Sequence, residues 1–103
     1  MPEAATPPEA CGDMTALRRE IDRIDRALVR LLAERQSYIE RAAIIKSERI
    51  RIRDEARIAD VIGKVVAEAR RAGLSPAIAE PVWREIVERS IAHEFDAFDA
   101  RRR

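Results

Sequence analysis

Between Asp13 and about Glu48 the chain contains neither glycine nor proline, and a series of apolar residues falls at 17, 21, 24, 28, 31, 38, 42 and 45. That alternation of four and three is the period of a helix that packs along a seam. At about 1.5 Å per residue, one helix over this stretch is on the order of 50 Å long. The whole chain has 103 residues, and a compact domain of that size has a radius of gyration of only about 13 Å. The remaining half of the chain is too short to cover such a helix along its length. A second copy is the natural source of cover, so the pattern predicts an obligate helical homodimer.

The rest of the chain divides around this helix. Residues 1–12 hold three of the five prolines and nothing suited to a core, and read as a disordered or extended lead-in. Asp13 or Thr15 is placed to cap the first helix. Ser47–Arg53 (SERIRIR) breaks the period and reads as a loop; RIRIR (49–53) has the alternation of a short strand but no second strand to pair with. A second helix is expected from about Asp54, with Ile58, Val61 or Ile62, Val65 and Ala69 on one face, ending before Gly73 as its C-cap glycine. Ser75 and Pro76 suit the N-cap and first position of a third helix carrying Ile78, Val82, Trp83, Ile86, Val87, Ile91, Phe95 and Phe98. Pro81 falls early inside it, where it can tighten or kink the first turns. The basic tail 101–103 is expected to fray. The expected fold is all-α: one helical domain over 13–100, with a long, a short and a medium helix.

Composition excludes several functions. Twenty Lys and Arg against nineteen Asp and Glu leave a net charge of +1, without the basic excess of a dedicated nucleic-acid binder. Three glycines and 4 % aromatic residues are too few for a β-sandwich or barrel rich in tight turns. Cys11 is the one cysteine, so no intramolecular disulfide forms, which fits a reducing compartment. No apolar run approaches the roughly 20 residues of a membrane span, and the N-terminus lacks the basic start and apolar core of a secretory signal. A cytoplasmic location and no contact with membrane or nucleic acid are the expectation.

No CxxC, HExxH, GxGxxG or Walker-type loop is present, so neither a metal nor a cofactor is expected. His93, beside Glu94 on an amphipathic helix, reads as a partly exposed surface histidine. Arg35 is more informative, because it occupies an apolar slot of the 17-to-45 series. A guanidinium on a buried seam is costly unless it meets an anion. It either snorkels or pairs with an acid of another helix, or it faces a pocket and binds a carboxylate with its planar fork. Lys46, eleven residues on, lies within about 20° of the same face. Arg18, seventeen residues earlier, lies about 100° away around the helix, so it could join Arg35 only from a partner helix. In the third helix Val87, Ser90 and Glu94 share a face, and Asp54 and Arg57 form an i, i+3 pair at the start of the second. Together these features suggest a pocket for a small dianion.

On these residues the sequence resembles the all-helical class of chorismate mutases. The similarity covers about residues 14–98 and rests on LRREIDRIDRALVRLLAER (17–35), Lys46, RDEAR (53–57) and IVERSIAHE (86–94). The resemblance implies an intertwined three-helix homodimer with two equivalent sites, converting chorismate to prephenate without a cofactor. It implies that Arg35 and Lys46 hold a substrate carboxylate and the ether oxygen, with Arg57 assisting. It places Arg18 across the interface on a carboxylate, Asp54 by the ring hydroxyl, Ser90 on a carboxylate and Val87 in the apolar wall. A pericyclic shift needs no base, nucleophile or metal. It needs the dianion held in its compact conformer and cations where charge develops on the ether oxygen.

Two positions depart from the family pattern. Glu94 stands where many members have a Gln that donates to the ether oxygen, and Glu donates there only when protonated. Activity is therefore expected to fall as pH rises through the titration of Glu94, and Glu94→Gln to flatten that dependence. Ile58 stands where many mutases have a Glu that contacts the ring hydroxyl, which loosens selection of the hydroxyl position. The alternative reading is an isochorismate-pyruvate lyase, a bacterial group on the same fold that forms salicylate. The lead-in Pro8-Glu9-Ala10-Cys11 and the Tyr38 region (QSYIERAAIIKS) resemble those enzymes, whereas RDEAR resembles the mutases more than the lyases' proline-containing loop. A second alternative is a non-catalytic helical dimerisation or regulatory module.

Overall fold

The computed structural model describes residues 4–102, and among them the only regular elements are helical. Three α-helices follow one another: α1 (Met14–Ile45), α2 (Glu55–Ala72) and α3 (Pro76–Ala100). Short 3-10 turns lie at Pro8–Ala10 and Arg49–Arg51. Residues 1–3 of the expected lead-in and Arg103 of the expected tail lie outside the described residues.

The chain forms two units, divided within α1 after Gln36. In the first, Asp13 caps α1 by accepting from the Ala16 amide at 2.8 Å, as its residue type predicts. Ahead of the cap, the Thr6 amide donates to Glu20 Oε1 at 2.6 Å. No described side chain of this unit is buried. The seam residues Ile21, Ile24, Leu28 and Leu31 are 46–60 % exposed, so the apolar stripe read from the spacing is present and uncovered in the single chain.

The second unit, from Ser37, contains the end of α1 together with α2 and α3. Its core brings Ala43 of α1, Ile52 of the connecting loop and Phe98 of α3 together, with Ile91 and Phe95 packed against them. α1 ends at Ile45, just ahead of the loop expected from Ser47. Glu48 turns extended and the backbone bends through Arg49–Arg51, which delivers Ile52 to this core. RIRIR (49–53) is thus a loop with a 3-10 turn over Arg49–Arg51 and not a strand.

The second helix pair is set by local signals. Asp54 caps α2 by accepting from the Arg57 amide at 3.1 Å. Gly73, at φ 78°, ends it with its own amide on Arg70 and that of Leu74 on Ala69, the paired bonds of a left-handed C-cap. Ser75 accepts from the Ala77 amide at 3.2 Å and begins α3. Pro81 sits inside α3, which runs unbroken to Ala100. Ile62 and Ala69 of α2 and Ala79 and Val87 of α3 are buried, the small residues allowing close approach. Beyond the end of α3 at Ala100 the chain passes into a turn at Arg101 and Arg102. The Arg102 guanidinium lies 3.4 Å from the centre of the Phe98 ring and donates to the Phe98 carbonyl at 3.2 Å.

Candidate functional site

The inward face of α3 carries three of the expected site residues. Val87 and Glu94 are buried and Ser90 is half-buried, so the 87-90-94 face read from spacing does turn inward. Glu94 is the one buried charged residue among those described, at 4 % exposure. A buried carboxylate needs a charged or hydrogen-bonding partner, and Lys46 supplies one: its Nζ donates to Glu94 Oε2 at 2.7 Å. The lysine follows directly on α1, and its amide still closes the last turn on Ala42. Its side chain is 29 % exposed against 6 % for that of Glu94, so the pair has a wet cationic end and a dry anionic end. The Ser90 hydroxyl donates to the Ile86 carbonyl at 2.7 Å.

Lys46 also borders an open concavity of about 520 Å³, shared with Arg51, Arg53, Asp54 and Glu55. That size suits a small organic ligand. The concavity brings together Lys46 and Asp54 of the expected site residues. Arg57 is turned elsewhere: its backbone amide serves the Asp54 cap, while its guanidinium pairs with Asp60 at 2.6 Å. Lys64 bonds the same Asp60 at 3.0 Å, and together they hold that carboxyl below its ordinary range, Lys64 contributing most. Arg18 is exposed and Arg35 half-buried in the first unit. They share the unbroken α1, so their separation of about 100° around the helix stands.

Four residues that sequence reasoning passed over bind the α1–α2 loop to α3. Arg49 forks onto Asp99, Nε to Oδ1 at 2.9 Å and Nη2 to Oδ2 at 3.2 Å, with its guanidinium 4.5 Å from the centre of the Phe95 ring. Arg53 forks onto Glu88 through two bonds of 2.9 Å and reaches Glu55 at 2.7 Å. These contacts raise the pKa of Arg53, Glu88 contributing first, and lower that of Glu88. The alternation of Arg at 49, 51 and 53 is their trace in the sequence, but their partners lie 35 and 50 residues away. His93 has the surface role expected of it, with Nε2 2.7 Å from Glu40 Oε2.

Among the described residues no cluster of His, Cys, Asp and Glu could hold a metal ion, and no helix is long and apolar enough to cross a membrane. The profile of the family described as chorismate mutase type II matches residues 17–95. An isochorismate pyruvate lyase of Pseudomonas aeruginosa is 29 % identical over 87 residues, covering 84 % of this chain and 86 % of that protein.

Proposed function

The chain belongs to the type II chorismate mutase family, and from that premise we propose that it is a cofactor-free enzyme rearranging chorismate to prephenate. The observation that carries this reading is the Lys46–Glu94 pair, 2.7 Å long, on the inward face that also holds Val87 and Ser90. A substrate dianion entering beside it meets an ammonium already aimed by a buried carboxylate. In the proposed mechanism Lys46 Nζ follows the ether oxygen as negative charge develops on it, the kind of stabilisation worth about 10²–10³ in rate per donor. Glu94 as a carboxylate holds that ammonium in place, while donation to the ether oxygen itself falls to its protonated form. Arg35 and Arg57 bind carboxylates, Arg57 by exchanging Asp60 for substrate. Asp54 meets the ring hydroxyl region, and Ser90 a carboxylate against the Val87 wall. Gripping both ends of the dianion holds the two reacting carbons together, which supplies the rest of the rate.

The same reading makes the active unit a homodimer. Ile21, Ile24, Leu28 and Leu31 present an apolar stripe that the single chain leaves about half exposed or more, and a second copy covering it brings its own Arg18 to the site. Mixing Arg18→Ala with Arg35→Ala subunits then restores part of the activity, because one site of each mixed dimer keeps both cations. No recovery would remove Arg18 from the partner's site.

Elimination of pyruvate from isochorismate is the second reading, favoured by the similarity to the P. aeruginosa lyase and by Ile58 in place of a residue that selects the hydroxyl. Both reactions use a dianion, a breaking ether bond and the same cations. Purified protein given each substrate separately decides between them. Prephenate from chorismate supports the mutase, and salicylate with pyruvate from isochorismate supports the lyase. Silence with both overturns the enzymatic reading in favour of a helical dimerisation or regulatory module.

A further inference from the structure

We propose that Arg49–Asp99 and Arg53–Glu88 are positioning pairs, which strap the α1–α2 loop onto α3 and so hold Lys46 and Asp54 in register at the concavity. This rests on the functional reading above for its catalytic consequence, though not for its mechanical one. The loop from Lys46 to Asp54 has little structure of its own: its internal backbone bonds are Arg51 amide to Glu48 carbonyl and Ile52 amide to Arg49 carbonyl. Its two ends are held by backbone bonds, the Lys46 amide on the Ala42 carbonyl and the Asp54 carbonyl accepting from the Ile58 amide, and between them side chains fix it. Lys46, Arg49 and Arg53 each bond a carboxylate of α3, at Glu94, Asp99 and Glu88, while Ile52 is buried against Phe98 between them.

Three such attachments do what two cannot. A segment held at two points still rotates about the line joining them, and a third point off that line stops the rotation. Glu88 and Asp99 lie eleven residues apart, about 16 Å along α3 and within about 20° of one face. Glu94 projects from a different side of the helix, about 120° around from Glu88. The attachment through Lys46 is therefore off the line of the other two. Forked guanidinium–carboxylate pairs also fix orientation, which a single ammonium contact does not. The loop's two ends are the residues the chemistry needs, Lys46 at one and Asp54 at the other. The guanidinium of Arg51, between the forked arginines, pairs with Glu48 of the loop itself at the longer distance of 3.6 Å.

Both forks are largely solvent-exposed, and exposed pairs add little to global stability. A merely structural surface role therefore moves neither kcat nor the local opening of the loop, whereas a strap moves both. The test uses full-length Glu88→Gln, Asp99→Asn, the double variant, and Arg53→Lys, with Arg89→Gln as control for an exposed pair that does not touch the loop. Two quantities are read: steady-state kinetics on whichever substrate the wild type turns over, and amide hydrogen exchange at Arg51 and Ile52. The double variant is expected to lose about tenfold or more in kcat with KM changed less than about threefold, since misplacement of a reacting group by about 1 Å can cost 10²-fold. Exchange at both amides quickens in parallel, and Arg53→Lys, which keeps the charge but loses the fork, behaves like Glu88→Gln. Unchanged kcat or unchanged exchange in the double variant, or full rescue by Arg53→Lys, overturns the proposal. A wild type silent on both substrates defeats the functional reading alone. Loop exchange then decides the strap by itself, faster exchange supporting it and unchanged exchange overturning it.

Discussion

Replacing Lys46 by methionine strands the Glu94 carboxylate, which is 4 % exposed and loses its 2.7 Å partner. Removing one member of a fully buried ion pair costs roughly 3–5 kcal/mol, because the surviving charge stays out of water. Here the side chains are unequal, 29 % exposed for Lys46 and 6 % for Glu94, so water can follow into the space the ammonium leaves. About half the full penalty is expected, about 2 kcal/mol. Glu94→Gln works from the other end: the shape stays, the buried charge goes, and the remaining ammonium already reaches solvent. That change should cost about 1 kcal/mol or less. The double variant Lys46→Met/Glu94→Leu should return to within about 1 kcal/mol of the wild type, since an apolar replacement leaves no stranded charge. In a domain of about 100 residues, 2 kcal/mol lowers Tm by roughly 8–16 °C. Thermal and urea unfolding followed by circular dichroism at one fixed protein concentration measures all three, the fixed concentration being needed because assembly links Tm to it. If Glu94→Gln proves as damaging as Lys46→Met, the carboxylate is not the dry end of the pair and the reasoning is refuted.

The two glycines of α2 and its cap should respond in opposite directions. Gly73→Ala places a side chain at φ 78° with nothing within 4 Å of the new Cβ, so the cost is the left-handed backbone alone, about 1 kcal/mol. Gly63→Ala, inside the helix and equally unobstructed, should gain about 0.8–1 kcal/mol; equal effects in urea unfolding would contradict both assignments. In acid, Glu88 is held below its ordinary value of 4.5 by Arg53, which also faces Glu55. Its contribution is therefore present above that value and lost as pH falls through the lowered one. The small Tm difference between wild type and Glu88→Gln should be constant from neutral pH to about 5 and disappear in stronger acid; a difference that grows in acid would reverse the sign. Leu28→Glu puts a charge in the middle of the uncovered seam, where a lone chain would scarcely feel it because Leu28 is 48 % exposed. Gel filtration should show a dimer become a monomer and Tm lose its dependence on concentration, and a monomeric wild type would remove the dimer from the proposal.

Much of the fold was legible because the signals were local. Asp13, Asp54 and Ser75 cap helices because a short oxygen-bearing side chain satisfies amides two or three residues away, and Gly73 ends one because its backbone tolerates positive φ. The 87-90-94 face was legible because helical periodicity alone decides which side chains point the same way. Arg57 shows where this reasoning stops. Spacing paired it with Asp54, which holds for its backbone amide, but its guanidinium found Asp60, another acid within the same reach.

Residue type and spacing alone set the three helices, the caps at Asp13, Asp54, Gly73 and Ser75, the apolar seam of α1 and the inward face of α3 that carries Glu94. All of these follow from residues within a few positions of one another. Packing of the helices on one another decides that Lys46 and Glu94 bond each other, that Ile52 reaches Phe98, and that Arg49 and Arg53 fork onto Asp99 and Glu88. These contacts join positions 35 to 50 residues apart. With 18 arginines and 19 carboxylates to choose among, charge type alone admits too many partners, and helix packing selects those that meet.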